Sequence, residues 1–145
     1  MKSKKGLIAP VVLLEAQDLV HANTTTALLD CQNFGSAEIL VAIGALTGVD
    51  GSNTLTPKLQ ECDTTVGTSF TDVAAADIDG AFTVVNATSK DSTVQRIAYI
   101  GGKRYIRVVL TYAGTAISAG VVGVYGIVGR PSLAPIAAQT AVAST

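Results

Sequence analysis

Residues able to act as nucleophiles, bases or metal ligands are few and widely separated in this sequence. The chain has one histidine, His21, and two cysteines, Cys31 and Cys62, with no CxxC spacing. A zinc site needs about four ligands, and a nucleophile needs a base beside it. No GxSxG sequence provides the nucleophile turn of a hydrolase. We therefore predict that the chain is not an enzyme and holds no zinc, although an unfamiliar site built from Asp, Tyr or Arg stays an alternative.

The segment DIDG, residues 77–80, resembles part of a calcium-binding loop. Aligned to that loop, Asn86 takes the twelfth position, where calcium needs a bidentate glutamate. A polar turn that ends at Gly80 is the favoured interpretation. The sequence also lacks the glycine-rich loops that hold nucleotide phosphates, so we predict no cofactor.

A cluster of basic and aromatic residues has the composition of a nucleic-acid-binding surface. Its members are Lys103, Arg104, Arg107, Tyr99, Tyr105 and Tyr112. Bases stack on such aromatic rings while cations neutralise the phosphates. Alternation along a strand divides the cluster between two faces, however, and the net charge of the chain is −1. We therefore predict no direct nucleic-acid binding, and treat Arg104, Tyr105 and Arg107 as candidate protein contacts.

The composition favours a protein that packs against other proteins. Hydrophobic residues make up 48% of the chain and charged residues 14%, whereas about 25% is typical for the charged ones. Much of the surface must therefore consist of small or uncharged side chains. No apolar run reaches the 18 or so residues that span a bilayer, so no membrane partner is expected. Two cysteines do not form a disulfide-dense scaffold, and whether they pair stays open.

The two ends of the chain differ in composition from its centre. Residues 1–6 form a basic arm, which is either a solvated terminus or a contact with an acidic partner. The apolar run after it resembles a signal peptide, but Pro10 and Glu15 argue against one. Residues 130–145 form a tail rich in Ala and Pro, low in charge after Arg130. The candidate contacts in these ends are Lys2, Lys4, Lys5, Leu133 and Ile136.

Short apolar stretches separated by turn residues predict an all-β chain. The predicted strands cover approximately 7–14, 26–32, 37–46, 54–62, 66–71, 81–87, 94–100, 103–113 and 119–129. A helical turn or ordered loop is predicted within 71–82, where three alanines precede Gly80. Many short strands with closely spaced turns are typical of an antiparallel sandwich or barrel in a single domain.

The stretch RIAYIGGKRYIRVVLTYAG, residues 96–114, is the clearest predicted element. Gly101 and Gly102 could adopt the positive φ angles of a two-residue hairpin turn. Ile106, Val108 and Leu110 then share one face of the second strand, toward a core. The sequence therefore predicts a β-hairpin with one buried face.

The segment SAGVVGVYGIVGRP, residues 118–131, has glycines three apart, at 120, 123, 126 and 129. Collagen requires many such repeats with abundant proline, and membrane helix pairs use GxxxG spacing. The intervening residues are mostly β-formers, and a period of three places successive glycines on alternate faces of a strand. We predict a buried strand that other elements approach closely on both sides.

Three segments of the sequence resemble those of a known group of proteins. They are LLDCQNFGSAEILVAIGALTG, PKLQECDTTVGTSFTDVAAADIDGAF and RIAYIGGKRYIRVVLTYAGT. In order and spacing, residues 26 to about 128 resemble small virion proteins of tailed bacteriophages and prophages, encoded near the major capsid protein. Some of that group are similar to capsid cement or decoration proteins with a jelly-roll-like β-sandwich.

The resemblance implies a structural protein that binds and stabilises the assembled capsid lattice. The implied partners are the major capsid protein and further copies of the chain, as a dimer or trimer. The implied location is the outer surface of the capsid, with assembly in the host bacterial cytoplasm. The expected fold is an antiparallel, jelly-roll-like β-sandwich of one domain, with extended N- and C-terminal arms.

Two other functions stay open. A tail or head–tail joining protein of the virion also uses small β-domains, which assemble into rings or tubes. A ligand- or carbohydrate-binding β-sandwich is the other alternative, but it needs aromatic platforms. The chain has no tryptophan and 5% aromatic residues, which counts against carbohydrate binding.

Overall fold

The computed structural model describes residues 7–18, 23–132 and 139–145, and over these ranges the chain is all-β. The strands are β1 Ile8–Asp18, β2 Thr24–Thr25, β3 Leu29–Asp30, β4 Phe34–Ile43, β5 Thr54–Cys62, β6 Thr71–Asp72, β7 Ile78–Asp79, β8 Thr93–Tyr99, β9 Tyr105–Ala113 and β10 Val121–Pro131. The long strands β1, β4, β9 and β10 run through stretches of alternating or continuous apolar residues.

The strands form two antiparallel sheets that pack as a sandwich. Sheet A has the order β1-β10-β4-β8-β7, and sheet B has the order β2-β9-β5-β6, with β3 also paired to β9. The chain crosses repeatedly from one sheet to the other, so neighbours within a sheet are mostly distant in sequence. Apart from the short β7, this is the strand order of a jelly roll, in which two sheets cover a shared core. The predicted antiparallel β-sandwich is therefore confirmed.

The core lies between the inward faces of the two sheets. On β9, Ile106, Val108 and Leu110 are fully buried, whereas the alternate residues are more accessible. On β4, Ile39 and Val41 are buried in the same cluster. Because side chains alternate across a strand, one face of each strand lines the core and the other faces away. The predicted buried face of segment 103–113 is confirmed.

The predicted hairpin around Gly101 and Gly102 is wrong. Strand β8 belongs to sheet A and β9 to sheet B, so the two glycines connect the sheets. Within the described ranges, neither has a positive φ. Gly101 is required for a different reason, because a Cβ there would lie 2.5 Å from the ring of Tyr99. Both strands face the same core, and local sequence does not distinguish such a crossing from a hairpin.

The glycine-rich strand β10 is a central strand with a buried core face. It lies between β1 and β4 in sheet A. A Cβ at Gly126 would lie 2.8 Å from the side chain of Leu29, which belongs to sheet B. On the opposite face, a Cβ at Gly123 would lie 3.3 Å from Ala16, which belongs to the adjacent strand β1 of the same sheet. The predicted close approach of another element is therefore confirmed on the core face of β10, whereas the described residues leave its outer face uncovered.

Two predicted strands are replaced by irregular structure. Segment 66–71 contains a 3₁₀ turn at Gly67–Ser69 and only the start of β6. Segment 81–87 forms a single bridge, between Val85 and Leu55, and no extended strand. Each segment pairs with β5 over only one or two residues. The predicted turn within 71–82 is confirmed as a 3₁₀ turn at Ala75–Asp77.

The last residues of the chain return to the sandwich. Leu28 and Val142 exchange two backbone hydrogen bonds, of 2.8 and 2.9 Å. The carbonyl of Thr145 accepts a hydrogen bond of 2.7 Å from the amide of Gly67. The end of the predicted C-terminal arm is therefore hydrogen-bonded to other parts of the same chain.

Candidate interaction surface

Strand alternation gives sheet A a second apolar layer, on the side away from the core. Val12 pairs with Tyr125 and Tyr125 with Leu40, so these residues form one row across three strands. We call this surface the outer A face. It consists of Ile8, Pro10 and Val12 of β1, Val121, Gly123, Tyr125 and Ile127 of β10, Glu38, Leu40 and Ala42 of β4, and Val94, Arg96 and Ala98 of β8.

The outer A face gathers most of the exposed apolar side chains of the described ranges. Eight large hydrophobic residues are exposed in the described ranges. Five of them lie on the outer A face or directly beside it: Ile8, Val12, Val94, Val121 and Ile100. Their exposed fractions run from 45% to 62%. Single exposed hydrophobic residues are ordinary, but a contiguous group of them marks an interaction site. This face is therefore the candidate functional surface.

A groove crosses the outer A face where side chains are small. It has a volume of about 400 Å³, and its lining includes Ala16, Ala42, Gly44 and Val121 around Gly123. A Cβ at Gly123 would lie 3.0 Å from the Tyr125 hydroxyl, so glycine keeps the groove open. The groove can accept side chains of a partner protein.

The outer face of sheet B has the opposite character. Thr56, Lys58 and Gln60 of β5 lie across from Thr111, Val109 and Arg107 of β9, and most of these residues are polar. Lys58 Nζ lies 3.0 Å from Asp72, and Gln60 also donates a hydrogen bond of 3.0 Å to that carboxylate. Its polar groups therefore partner one another or water. The sandwich has one hydrated face and one apolar face.

The structure places three predicted contact residues near each other, but engages each within the chain. Arg104 forms an ion pair with Asp30 at 2.8 Å. Tyr105 is buried in a small apolar cluster that also contains Phe70. Arg107 donates a hydrogen bond of 2.9 Å to Gln60, and its guanidinium lies 4.1 Å from the centre of the Phe70 ring. These side chains stabilise one end of the sandwich.

The other predicted contacts lie outside the described residues. They are Lys2, Lys4, Lys5, Leu133 and Ile136. The single histidine, His21, also lies outside them. These positions stay predictions from composition.

A larger concavity, of about 690 Å³, opens at the end of the sandwich where β8 leads into β9. Tyr99 lies on its wall and donates a hydrogen bond of 2.6 Å to Glu61, on the other sheet. The Tyr99 hydroxyl also accepts one of 2.8 Å from the Lys103 amide. Burial, and next the Glu61 carboxylate, raise the pKa of Tyr99 well above its usual range. Tyr99 is thus a neutral phenol that connects the two sheets.

In the described ranges, the two cysteines and segment 77–80 are the remaining candidates for reactive or metal-binding residues. Cys31 and Cys62 are free thiols. Burial, and next the Asp30 carboxylate, raise the pKa of Cys31 to about 12, so it is a poor nucleophile at neutral pH. In these ranges, no three His, Cys, Asp or Glu residues are grouped as a metal site requires. Segment 77–80 contains the end of the 3₁₀ turn, at Asp77, and the short edge strand β7. Gly80 follows this strand and has a φ of +98°.

The Asp30–Arg104 pair predicts an acid-dependent contribution to stability. Burial raises the pKa of Asp30, but hydrogen bonds from Arg104 and the Gln32 amide together bring it below the ordinary 3.8. A carboxylate with a lowered pKa stabilises the fold above its unfolded value, and this stabilisation is lost as the pH falls through the folded value. Asp30→Asn is therefore expected to lower the free energy of unfolding near neutral pH, by an amount that shrinks as the pH falls below 3.8.

Urea unfolding across this pH range measures the effect. Asp79→Asn is the matched control, because Asp79 is exposed and has no ion pair with another described residue. It should leave the free energy of unfolding nearly unchanged. A deficit for Asp30→Asn that persists undiminished at low pH would show that the ion pair is not its source.

Comparison with known proteins gives no family assignment: no protein family matches the chain, and no curated sequence matches it significantly. Among the described residues, no helix has the length and hydrophobicity to cross a bilayer. The candidate surface therefore rests on the geometry of sheet A.

Proposed function

We propose that the chain is a structural virion protein that binds and stabilises the assembled lattice of a phage major capsid protein. The resemblance of residues 26 to about 128 to small phage virion proteins supports this proposal. The observation that carries it is the outer A face, an apolar sheet surface opposite a hydrated one. A sandwich with this polarity is suited to being covered on one side.

The proposed role follows from binding thermodynamics. A protein that binds the assembled lattice, but not free subunits, shifts the equilibrium toward assembly by mass action. Several linked copies increase the effect, because each bound copy raises the effective concentration of the next. In this account the outer A face is buried at a contact within the assembly, and the protein belongs on the outer surface of the capsid.

Capsids prepared without this protein provide the test. Purified protein is added, the capsids are sedimented, and bound copies are counted per capsid subunit while the rupture temperature is recorded. We expect binding that saturates at a fixed ratio and a higher rupture temperature. Absence of binding, or equal binding to unassembled capsid subunits, would contradict the proposal.

The end concavity supports a second candidate function, the binding of a small ligand. Its volume of about 690 Å³ falls within the range of about 300–1,000 Å³ that is usual for ligand pockets. Phe34, Tyr99 and Lys103 provide apolar and charged groups on its wall. A panel of oligosaccharides and small carboxylates, tested by calorimetry, would show saturable binding that Tyr99→Ala abolishes if this function is real. No binding across the panel would contradict it.

A further inference from the structure

The outer A face carries two charges of opposite sign that have no partner in the described part of the chain. Its charged side chains are Glu38 on β4 and Arg96 on β8, and Asp79 of the edge strand β7 lies beside them, opposite Ala98. Arg96 pairs across the strands with Leu40 and Glu38 with Ala98, so the two charges are diagonal neighbours. Neither forms an ion pair or hydrogen bond with another described residue.

This arrangement is self-complementary. Consider two copies whose outer A faces lie against each other. A two-fold axis in the plane between the sheets, midway between these side chains and perpendicular to the line that joins them, places Glu38 of each copy opposite Arg96 of the other. Contacts between identical surfaces pair in this reciprocal way in a two-fold dimer. A face with charges of one sign would instead repel its own copy. The remaining side chains of the face are apolar or small and can interdigitate in such a contact.

The outer A face is also large enough for a dimer interface. Its four long strands contain 7 to 11 residues each. At usual strand spacing and rise, they cover roughly 19 Å by roughly 30 Å, a plan area of roughly 570 Å². Two facing copies together contribute roughly 1,140 Å², which is above the roughly 1,000 Å² in total that a specific interface should bury. The groove around Gly123 adds a site into which side chains of the other copy can insert.

We propose that the outer A face binds the same face of a second copy of this chain, with reciprocal contacts between Glu38 and Arg96. This inference rests on the proposed role as an assembly protein and assigns the outer A face to the contact between copies, so other surfaces of the dimer contact the capsid. Dimerisation removes the exposed apolar side chains from water and gives both unpaired charges a partner. It also gives the unit that binds the capsid two copies of every contact.

Charge reversal tests the pairing. Sedimentation equilibrium of the full chain gives the dimer Kd for the wild type, for Glu38→Arg, for Arg96→Glu and for the double variant. Each single reversal places like charges opposite each other twice per dimer, so we expect the Kd to rise at least tenfold. The double variant restores opposite charges and should return the Kd to within about threefold of the wild type.

Matched measurements keep this result specific. Thr56→Arg, which adds a charge to the outer face of sheet B, should leave the Kd unchanged, and circular dichroism verifies the fold of each variant. A wild type that is monomeric at all concentrations, a trimer, or a dimer insensitive to both reversals would overturn the inference. A monomer that still saturates capsids would do so while leaving the proposed function intact. A charge-sensitive dimer that does not bind capsids would support the inference and contradict the function.

Discussion

Leu110→Ala is expected to lower the free energy of unfolding by about 2–5 kcal/mol. Leu110 is fully buried at the centre of β9, in the cluster that fills the space between the sheets. Truncation removes apolar contacts and leaves a cavity that a jelly roll, held by long-range strand pairing, collapses only partly. A domain of this size has a total stability of about 5–15 kcal/mol, so the loss is a large fraction of it. Urea denaturation at neutral pH measures the change.

The neighbouring residue provides the control. Val109 precedes Leu110 on the same strand but points to the outer face of sheet B, where it is half-buried. Val109→Ala is expected to cost less than about 1 kcal/mol, because little apolar surface is returned to water. Equal losses for the two variants would mean that β9 does not present the buried face described above.

Val12→Asp is expected to reduce the number of copies retained on capsids at least tenfold. Val12 is half exposed on the outer A face, beside Tyr125 of β10. A carboxylate there must be desolvated without a partner when the face is covered, which is costly. If the face contacts a second copy, the variant also loses the gain from linked binding, which reaches 10²–10⁴ in favourable geometries. Co-sedimentation with capsids measures the retained copies.

Thr56→Asp is the control for this variant. It introduces the same carboxylate on the outer face of sheet B, among polar residues that already contact water. Both variants should retain the thermal unfolding temperature of the wild type within a few degrees, since both sites are at the surface. Retention of Val12→Asp at the wild-type level would show that the outer A face is not used in assembly.

Alternation and glycine spacing in the sequence predict the strands that build the core. The apolar positions of segment 103–113 face the core as expected, because one buried face requires a period of two. The glycines of segment 118–131 correctly predict a strand that the other sheet approaches closely, at Gly126. In both cases the pattern that determines the structure, side-chain alternation or glycine spacing, lies within the segment itself.

The sheet to which each strand belongs could not be predicted in this way. Gly101 and Gly102 join β8 to β9 across the sandwich, although the flanking sequence has every local feature of a hairpin. Pairing partners such as β4 and β10 are far apart in the sequence, so local patterns contain no record of them. Arg104 and Arg107 likewise have partners, Asp30 and Gln60, that become their neighbours only in the folded chain.

The outer A face was missed although its signal is present in the sequence. Segment 8–14 is apolar at every position, which exceeds what one buried face requires. Segment 121–128 shows the same excess. Strands covered on both faces have such continuous apolar runs. In this chain the described residues do not cover the outer A face. We therefore assign its cover to the surface of another protein chain.

Electron cryomicroscopy of virions or capsids made with and without this protein tests the central claim most directly. The account predicts regular density on the outer shell that is present only with the protein, with the outer A face buried at a contact. Density confined to the neck or tail would contradict it and favour a tail or head–tail joining protein. Identical maps for the two preparations would contradict any role in the virion.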